Sequence, residues 1–279
     1  MNQGFITKNI NAFEEYLRKE ERSAATIEKY MRDLRVFWSY VKNLPINKQT
    51  VVDYKNKLGE EYAVSSANSM IAAVNSFLKF CGLAELCVKQ FKLQRDAYRA
   101  EERELTREEY LRLLRAASDK KNQRLALMLQ TICGTGIRVS ELQYVTVEAV
   151  RRGETAVYCK GKNRHIFIID ALKKKLLRYA KEQGISSGAI FLTKNGRTIS
   201  RYTVWKEMKS LCKEAGVSPK KVFPHNLRHL FARAFYSIDR DIAKLADILG
   251  HSSINTTRIY IATTCVEHIR KMEKLRLII

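Results

Sequence analysis

The sequence lacks the features that would place it in a membrane or on an export route. No run of apolar residues is long enough to span a bilayer. The first ten residues also lack the apolar core of a signal peptide. We therefore expect the chain to stay in the cytoplasm and to have no membrane partner.

Cysteine pairs with metal-ligand spacing are also missing. None of the six cysteines belongs to a C-x-x-C pair, and their neighbours are mostly apolar. These positions are typical of reduced, buried thiols, so we expect no disulfide and no zinc or other metal. The six are Cys81, Cys87, Cys133, Cys159, Cys212 and Cys265.

Acidic residues are scarce. The 279 residues include 29 Asp and Glu against 51 Lys and Arg, a formal net charge of +22. Such an excess repels itself in a compact protein, so a polyanion, DNA or RNA, is the natural partner. Charge alone also fits a basic protein that is merely soluble.

The first third of the chain shows no strand-like alternation. Its apolar positions recur at helical spacing, which predicts a compact unit of four helices over residues 1–91. Ser23 is a candidate cap for the second helix, and Gly59 for the end of the third. The charged segment at residues 92–104 is interpreted as a linker.

Residues 105–279 have a mixed pattern, which predicts an α+β domain. Thr106 begins a helix as part of a capping box with Glu109. Segments rich in branched residues predict three short strands, at Val145–Val147, Ala156–Cys159 and Ile166–Ile169. The remainder is helical, including a C-terminal helix with one apolar stripe. The expected fold is mainly α with a small β-sheet, in two domains.

Four segments carry residues suited to phosphate chemistry. Arg138 follows the turn Gly134-Thr135-Gly136, where backbone N–H groups favour an anion, although Glu141 could simply pair with it. His225 and Arg228 are three residues apart on one helix face, a cation beside an imidazole. His251 follows Gly250, and Tyr260 lies nine residues later. Each of these residues alone also fits a structural role.

The order and spacing of these segments closely resemble the tyrosine recombinases, also called the phage integrase family. The resemblance covers residues 106–279. It is fainter at 23–34, where the sequence is similar to the family's SAM-like core-binding domain. It implies a two-domain recombinase, with the core-binding domain at 1–91 and the catalytic domain at 105–279.

The resemblance also implies a role for each of these side chains. Arg138 and Arg228 would hold the scissile phosphate, and His225 would act as general base. His251 would hydrogen-bond a non-bridging oxygen. Tyr260 would attack phosphorus, leaving a 3′-phosphotyrosine and a free 5′-hydroxyl. The energy of the broken bond is retained, so no ATP, metal or other cofactor is implied.

The family uses a lysine in a β-hairpin as general acid for the departing 5′-oxygen. The hairpin here reads Tyr158-Cys159-Lys160-Gly161-Lys162 and onward. Lys160, which precedes the glycine, matches best. Because Cys159 stands where a glycine is usual, Lys162 remains an alternative.

The implied function is a site-specific DNA recombinase, an integrase that integrates or excises a mobile element. A Xer-type resolvase of chromosome dimers is the main alternative. A type IB topoisomerase and a regulator without catalysis fit less well, because a core-binding domain and a complete catalytic set are both present. The implied partners are a double-stranded recombination site, a homotetramer on two duplexes, and accessory DNA-bending or directionality proteins. The resemblance suggests that the helix at 266–279 docks on a neighbouring protomer; its single apolar stripe also fits a helix that folds back on its own catalytic domain.

Overall fold

The computed structural model describes residues 3–42, 44–92, 103–159, 162–193 and 195–261. The chain divides into two compact units, residues 1–95 and residues 96–279. The predicted linker lies mostly at 93–102, outside the described residues, so the predicted domain boundaries stay a prediction. The C-terminal helix expected beyond residue 265 lies outside them as well. Among the described residues, no helix is both long and apolar enough to cross a bilayer.

The first unit contains the four expected helices, α1 to α4. Ser23 caps α2 by accepting from the Thr26 amide, and aromatic side chains such as Phe13 and Phe37 fill the core. Gly59 does not end the third helix as predicted. A Cβ there would lie 2.8 Å from the ring of Phe91, so the glycine permits close packing inside the helix. The helices are α1 (Gln3–Lys19), α2 (Ala24–Val41), α3 (Lys48–Glu61) and α4 (Val64–Phe80).

The second unit is mainly helical and surrounds the buried helix α6. The predicted capping box of Thr106 and Glu109 is present at the start of α5. Helix α11 packs on α6, and α12 and α13 pack on α11. The helices are α5 (Arg107–Asp119), α6 (Gln123–Thr135), α7 (Val147–Arg152), α8 (Asp170–Glu182), α9 (Arg201–Lys209), α10 (Cys212–Ala215), α11 (Pro224–Ile238), α12 (Ile242–Leu249) and α13 (Ile254–Ile261).

The sheet found in the described residues is one antiparallel hairpin. Strand β1 (Glu154–Cys159) pairs with β2 (Lys162–Phe167), with Val157 opposite Arg164. The strand predicted at Val145–Val147 is wrong, because the Thr146 hydroxyl accepts from the Ala149 amide and caps α7. Only an isolated bridge between Thr146 and Ala189 remains there. The expectation of a mainly α fold with a small sheet is confirmed.

Candidate active site

Arg138 lies at the turn that leaves α6. Gly136 ends that helix in the left-handed conformation, with φ of 65°, and Arg138 follows before a 3-10 helix at Val139–Tyr144. The Arg138 side chain is 35% exposed and donates to Glu141 Oε1 at 3.1 Å. Its backbone N–H donates to Glu141 Oε2 at 2.7 Å. The buried carboxylate therefore fixes both the main chain and the side chain of Arg138.

Arg228 is buried on the first turns of α11, with 1% of its surface exposed. Its guanidinium donates to the carbonyls of Gly136 and Leu249 and lies 3.0 Å from His251 Nε2. Burial, then the nearby Arg138 and Arg164, lower the pKa of Arg228 to about 10, so it stays charged at neutral pH. Its Nε has no hydrogen-bond partner within the described part of the chain.

His251 follows Gly250, which ends α12 with φ of 62°. Its Nδ1 lies 2.9 Å from the Thr257 hydroxyl. A guanidinium can only donate, so Nε2 accepts from Arg228 and Nδ1 carries the proton. Burial first, and then the charges of Arg228 and neighbouring cations, lower the pKa of His251 to about 3. His251 is therefore a neutral imidazole in this arrangement.

Tyr260 lies on α13 and is 5% exposed. Its hydroxyl is 2.9 Å from His225 Nε2, so the two residues are already within proton-transfer distance. Its ring stacks on His229 with centroids 4.0 Å apart and meets His251 edge-on at 4.7 Å. The Arg228 guanidinium lies 5.8 Å from the ring centroid. Three imidazoles and an arginine thus hold the phenol.

The structure brings together five of the six predicted site residues. The sixth, Lys160, lies outside the described residues. The side chain of Lys162 is not described either, so the choice between the two lysines stays a prediction. The five are Arg138, His225, Arg228, His251 and Tyr260.

Three further residues of this cluster are not predicted as site residues by the sequence patterns. The sequence indicates Glu141 only as a surface partner of Arg138, yet its side chain is 3% exposed. Arg164 also binds Glu141 and is 7% exposed, although a basic residue in a hairpin gives no sign of burial. His229 occupies the fourth position after His225 on the same helix face, a spacing that places it beside His225, and its ring also stacks on Tyr260.

A cavity of about 580 Å³ opens beside the cluster. Arg138, His225 and Arg228 line it. Tyr202 and Trp205 of α9 also line it, with their rings stacked at 5.9 Å between centroids. The cavity therefore combines three arginines (Arg138, Arg201 and Arg228), an imidazole and exposed aromatic rings, a set that suits a nucleotide phosphate and its neighbouring sugar or base.

Comparisons with known proteins agree with this geometry. Residues 103–265 match the phage integrase family, and residues 10–83 match the phage integrase N-terminal SAM-like domain. The tyrosine recombinase XerA of Thermococcus kodakarensis is 31% identical, over 96% of this chain and 95% of its own length. XerD of Halalkalibacterium halodurans is 30% identical, over 93% and 94%.

A solved structure shares the fold at lower identity. A lambda integrase dimer bound to a COC′ core site superimposes with a TM-score of 0.72 and 20% identity, covering 91% of this chain and 94% of that chain. The family match spans more than half of the sequence and includes every described residue of the cluster. The chain therefore belongs to the phage integrase family, the tyrosine recombinases.

Proposed function

We propose that this site-specific recombinase cuts and rejoins DNA through a covalent bond between phosphorus and Tyr260. The observation that carries the proposal is the 2.9 Å contact between the Tyr260 hydroxyl and His225 Nε2, next to Arg138 and Arg228. A free tyrosine has a pKa of about 10, so it needs a base and a positive environment to attack. The cluster contains both.

In the proposed cleavage step the Tyr260 oxygen bonds to phosphorus as the bond from phosphorus to the 5′-oxygen breaks. His225 takes the phenol proton, and Lys160 donates a proton to the departing oxygen. The products are a 3′-phosphotyrosine and a 5′-hydroxyl. Rejoining is the reverse step with a 5′-hydroxyl from the partner strand, so neither an oxidant nor an energy source is consumed.

Arg138 and Arg228 would stabilise the charge that develops on the non-bridging oxygens. Their roles differ because their settings differ. Arg138 is partly exposed at the cavity, whereas Arg228 is already held by two carbonyls and an imidazole. Removing one such donor from a preorganised site typically costs about two to three orders of magnitude in rate.

His251 would reach a non-bridging oxygen only after a local change. Its Nε2 lone pair now faces Arg228, and its proton is on Nδ1. A bound phosphate would compete for the Arg228 guanidinium and would favour a proton on Nε2, because the anion offsets the nearby cations. We propose that His251 gains its donor function when DNA binds.

The partner would be duplex DNA. The net charge of +22 favours a polyanion, and the exposed rings of Tyr202 and Trp205 line the same cavity as Arg138 and Arg228. Strand exchange between two duplexes needs four active sites, so a homotetramer on DNA is part of the proposal. A lambda integrase tetramer bound to a Holliday junction is among the structures with this fold.

Two biological roles remain candidates. We propose the integration or excision of a mobile element, in line with the strong excess of basic residues. Chromosome dimer resolution is the second candidate, because Xer recombinases at about 30% identity align over more than 90% of this chain.

A trapping experiment tests the proposal. The protein is incubated with genomic DNA fragments that carry random nicks, so that cleavage beside a nick releases a short strand and the covalent complex cannot religate. Trapped DNA from one short site, at an element end or on the host chromosome, would support site-specific cleavage and identify the role. Failure to trap DNA on the wild-type protein, or trapping without sequence preference, would contradict it.

A further inference from the structure

We infer that Arg164 is a positioning residue, which holds Arg138 and the turn before His251 in place without touching DNA. The inference deepens the proposed function and rests on it for its kinetic consequence. Arg164 lies on β2, and it is not among the residues that line the cavity. Its side chain is 7% exposed, so it acts through its protein partners.

The first of these partners is Glu141. One Arg164 Nη donates to Glu141 Oε2, the same oxygen that accepts from the Arg138 backbone N–H. The other carboxylate oxygen accepts from the Arg138 side chain at 3.1 Å. Arg164 therefore fixes the carboxylate that in turn fixes Arg138.

The second partner is the end of α12. The other Arg164 Nη donates to the Ile248 carbonyl at 2.8 Å. The next two carbonyls are bound in the same way, Leu249 by Arg228 and Gly250 by Arg138 at 3.4 Å. Three successive carbonyls at a helix C-terminus, where orphan acceptors and partial negative charge collect, are thus shared among three arginines.

The fit around Arg164 is also tight. A Cβ on Gly250 would lie 2.4 Å from Arg164 Cδ, so the residue before His251 has room only for glycine. The aliphatic part of the Arg164 side chain therefore packs against the turn at Gly250, while its two Nη groups reach Glu141 and Ile248. A lysine has a single nitrogen and cannot span both acceptors in the same way.

The charge arrangement explains why such a support is needed. Arg138, Arg164 and Arg228 repel one another, and their charges add to the effect of burial in lowering the pKa of His251. Glu141 is the carboxylate bonded to two of them. Arg164 thus shares Glu141 with Arg138 and keeps the cluster assembled before a phosphate arrives.

The test compares Arg164→Lys with the matched control Arg233→Lys. Arg233 makes the same kinds of hydrogen bond, one to the carboxylate of Glu104 and one to the main-chain carbonyl of Leu105. It does not line the cavity. In single-turnover cleavage of a nicked site, Arg164→Lys should slow adduct formation about 10- to 100-fold, with DNA affinity within about threefold of wild type. Arg233→Lys should cleave at nearly the wild-type rate.

A double-mutant cycle identifies the route of the effect. If Arg164 acts through Glu141, Arg164→Lys should slow cleavage much less in a Glu141→Gln background than in the wild type. Additive effects would overturn the inference. So would an Arg164→Lys rate within twofold of wild type, or a loss no larger than that of the control.

A spectroscopic measurement on the DNA-free protein is independent of cleavage. The ¹⁵N signals of His251 should report a neutral ring protonated on Nδ1 in the wild type and in Arg233→Lys. In Arg164→Lys the loosened turn should give a mixture of tautomers. An unchanged His251 spectrum in Arg164→Lys would refute the positioning role even if the wild type proved unable to cleave DNA, a result that would separately refute the proposed function.

Discussion

The two catalytic arginines should respond differently to the same conservative substitution. The perturbation is Arg→Lys at position 138 or 228, which keeps the charge and removes the planar fork. Arg138 is 35% exposed and its main protein partner is Glu141, which a lysine ammonium can also bind. Arg228 is 1% exposed and donates to two buried carbonyls and an imidazole nitrogen.

The magnitudes follow from these contacts. A buried acceptor that loses its donor costs about 1–3 kcal/mol, and a lysine at 228 would leave one or two of the three acceptors unpaired. We expect Arg228→Lys to lower the free energy of unfolding by about 2–4 kcal/mol. For a unit of this size, that loss corresponds to a Tm lower by about 6–12 °C. Arg138→Lys should stay within about 1 kcal/mol of wild type, as for a partly exposed ion pair.

Both substitutions should still reduce cleavage, by about two orders of magnitude or more, because each removes a bidentate donor from the transition state. Urea denaturation gives the stability difference, and single-turnover trapping on a nicked site gives the rate. Equal stabilities of the two variants would refute the contrast drawn from burial. Near-normal cleavage by both would refute their place at the scissile phosphate.

The remaining predictions concern the hairpin, the α6 turn and His251. A bridging 5′-phosphorothiolate has a leaving group that needs no proton, so it should restore cleavage by Lys160→Ala; rescue of Lys162→Ala alone would move the general acid to that residue. Gly136→Ala should lower the free energy of unfolding by about 2 kcal/mol or more in urea titrations, since φ is positive and a Cβ would lie 2.4 Å from Phe231; wild-type stability would contradict this. Because the pKa of His251 is lowered to about 3, its contribution to stability is complete above about pH 6.5 and is lost as the pH falls toward 3. Wild type should therefore lose stability more steeply than His251→Gln between pH 6.5 and 4, and parallel curves would show that His251 is not held neutral.

The residues that meet at the cluster could be predicted because their motifs are local. Each motif lies within a single element or at a junction between two. The motifs are the glycine turn before Arg138, the three-residue spacing from His225 to Arg228, and the nine-residue interval from His251 to Tyr260. Local patterns of this kind are visible in the amino-acid sequence alone. The order and spacing of these motifs carry the family resemblance, and the resemblance implies that they form one site.

The supporting residues could not be predicted because their contacts are long-range. Arg164 reaches Ile248 across 84 positions, and its burial depends on how the hairpin packs beside α12. The failed strand at Val145–Val147 has a similar cause. Its branched residues are compatible with a strand, but the Thr146 hydroxyl accepts from the Ala149 amide, and the chain continues as α7. Competition between a cap and a strand is decided by tertiary context, which periodicity does not contain.

The central claim is that Tyr260 forms the bond to DNA. The direct measurement is peptide mass spectrometry of the complex trapped on a nicked site, compared with the Tyr260→Phe variant. The account predicts one modified peptide, with a nucleotide attached through a 3′-phosphate to Tyr260, and no adduct in the variant despite normal DNA binding. An adduct on another residue, or one that persists in Tyr260→Phe, would contradict it.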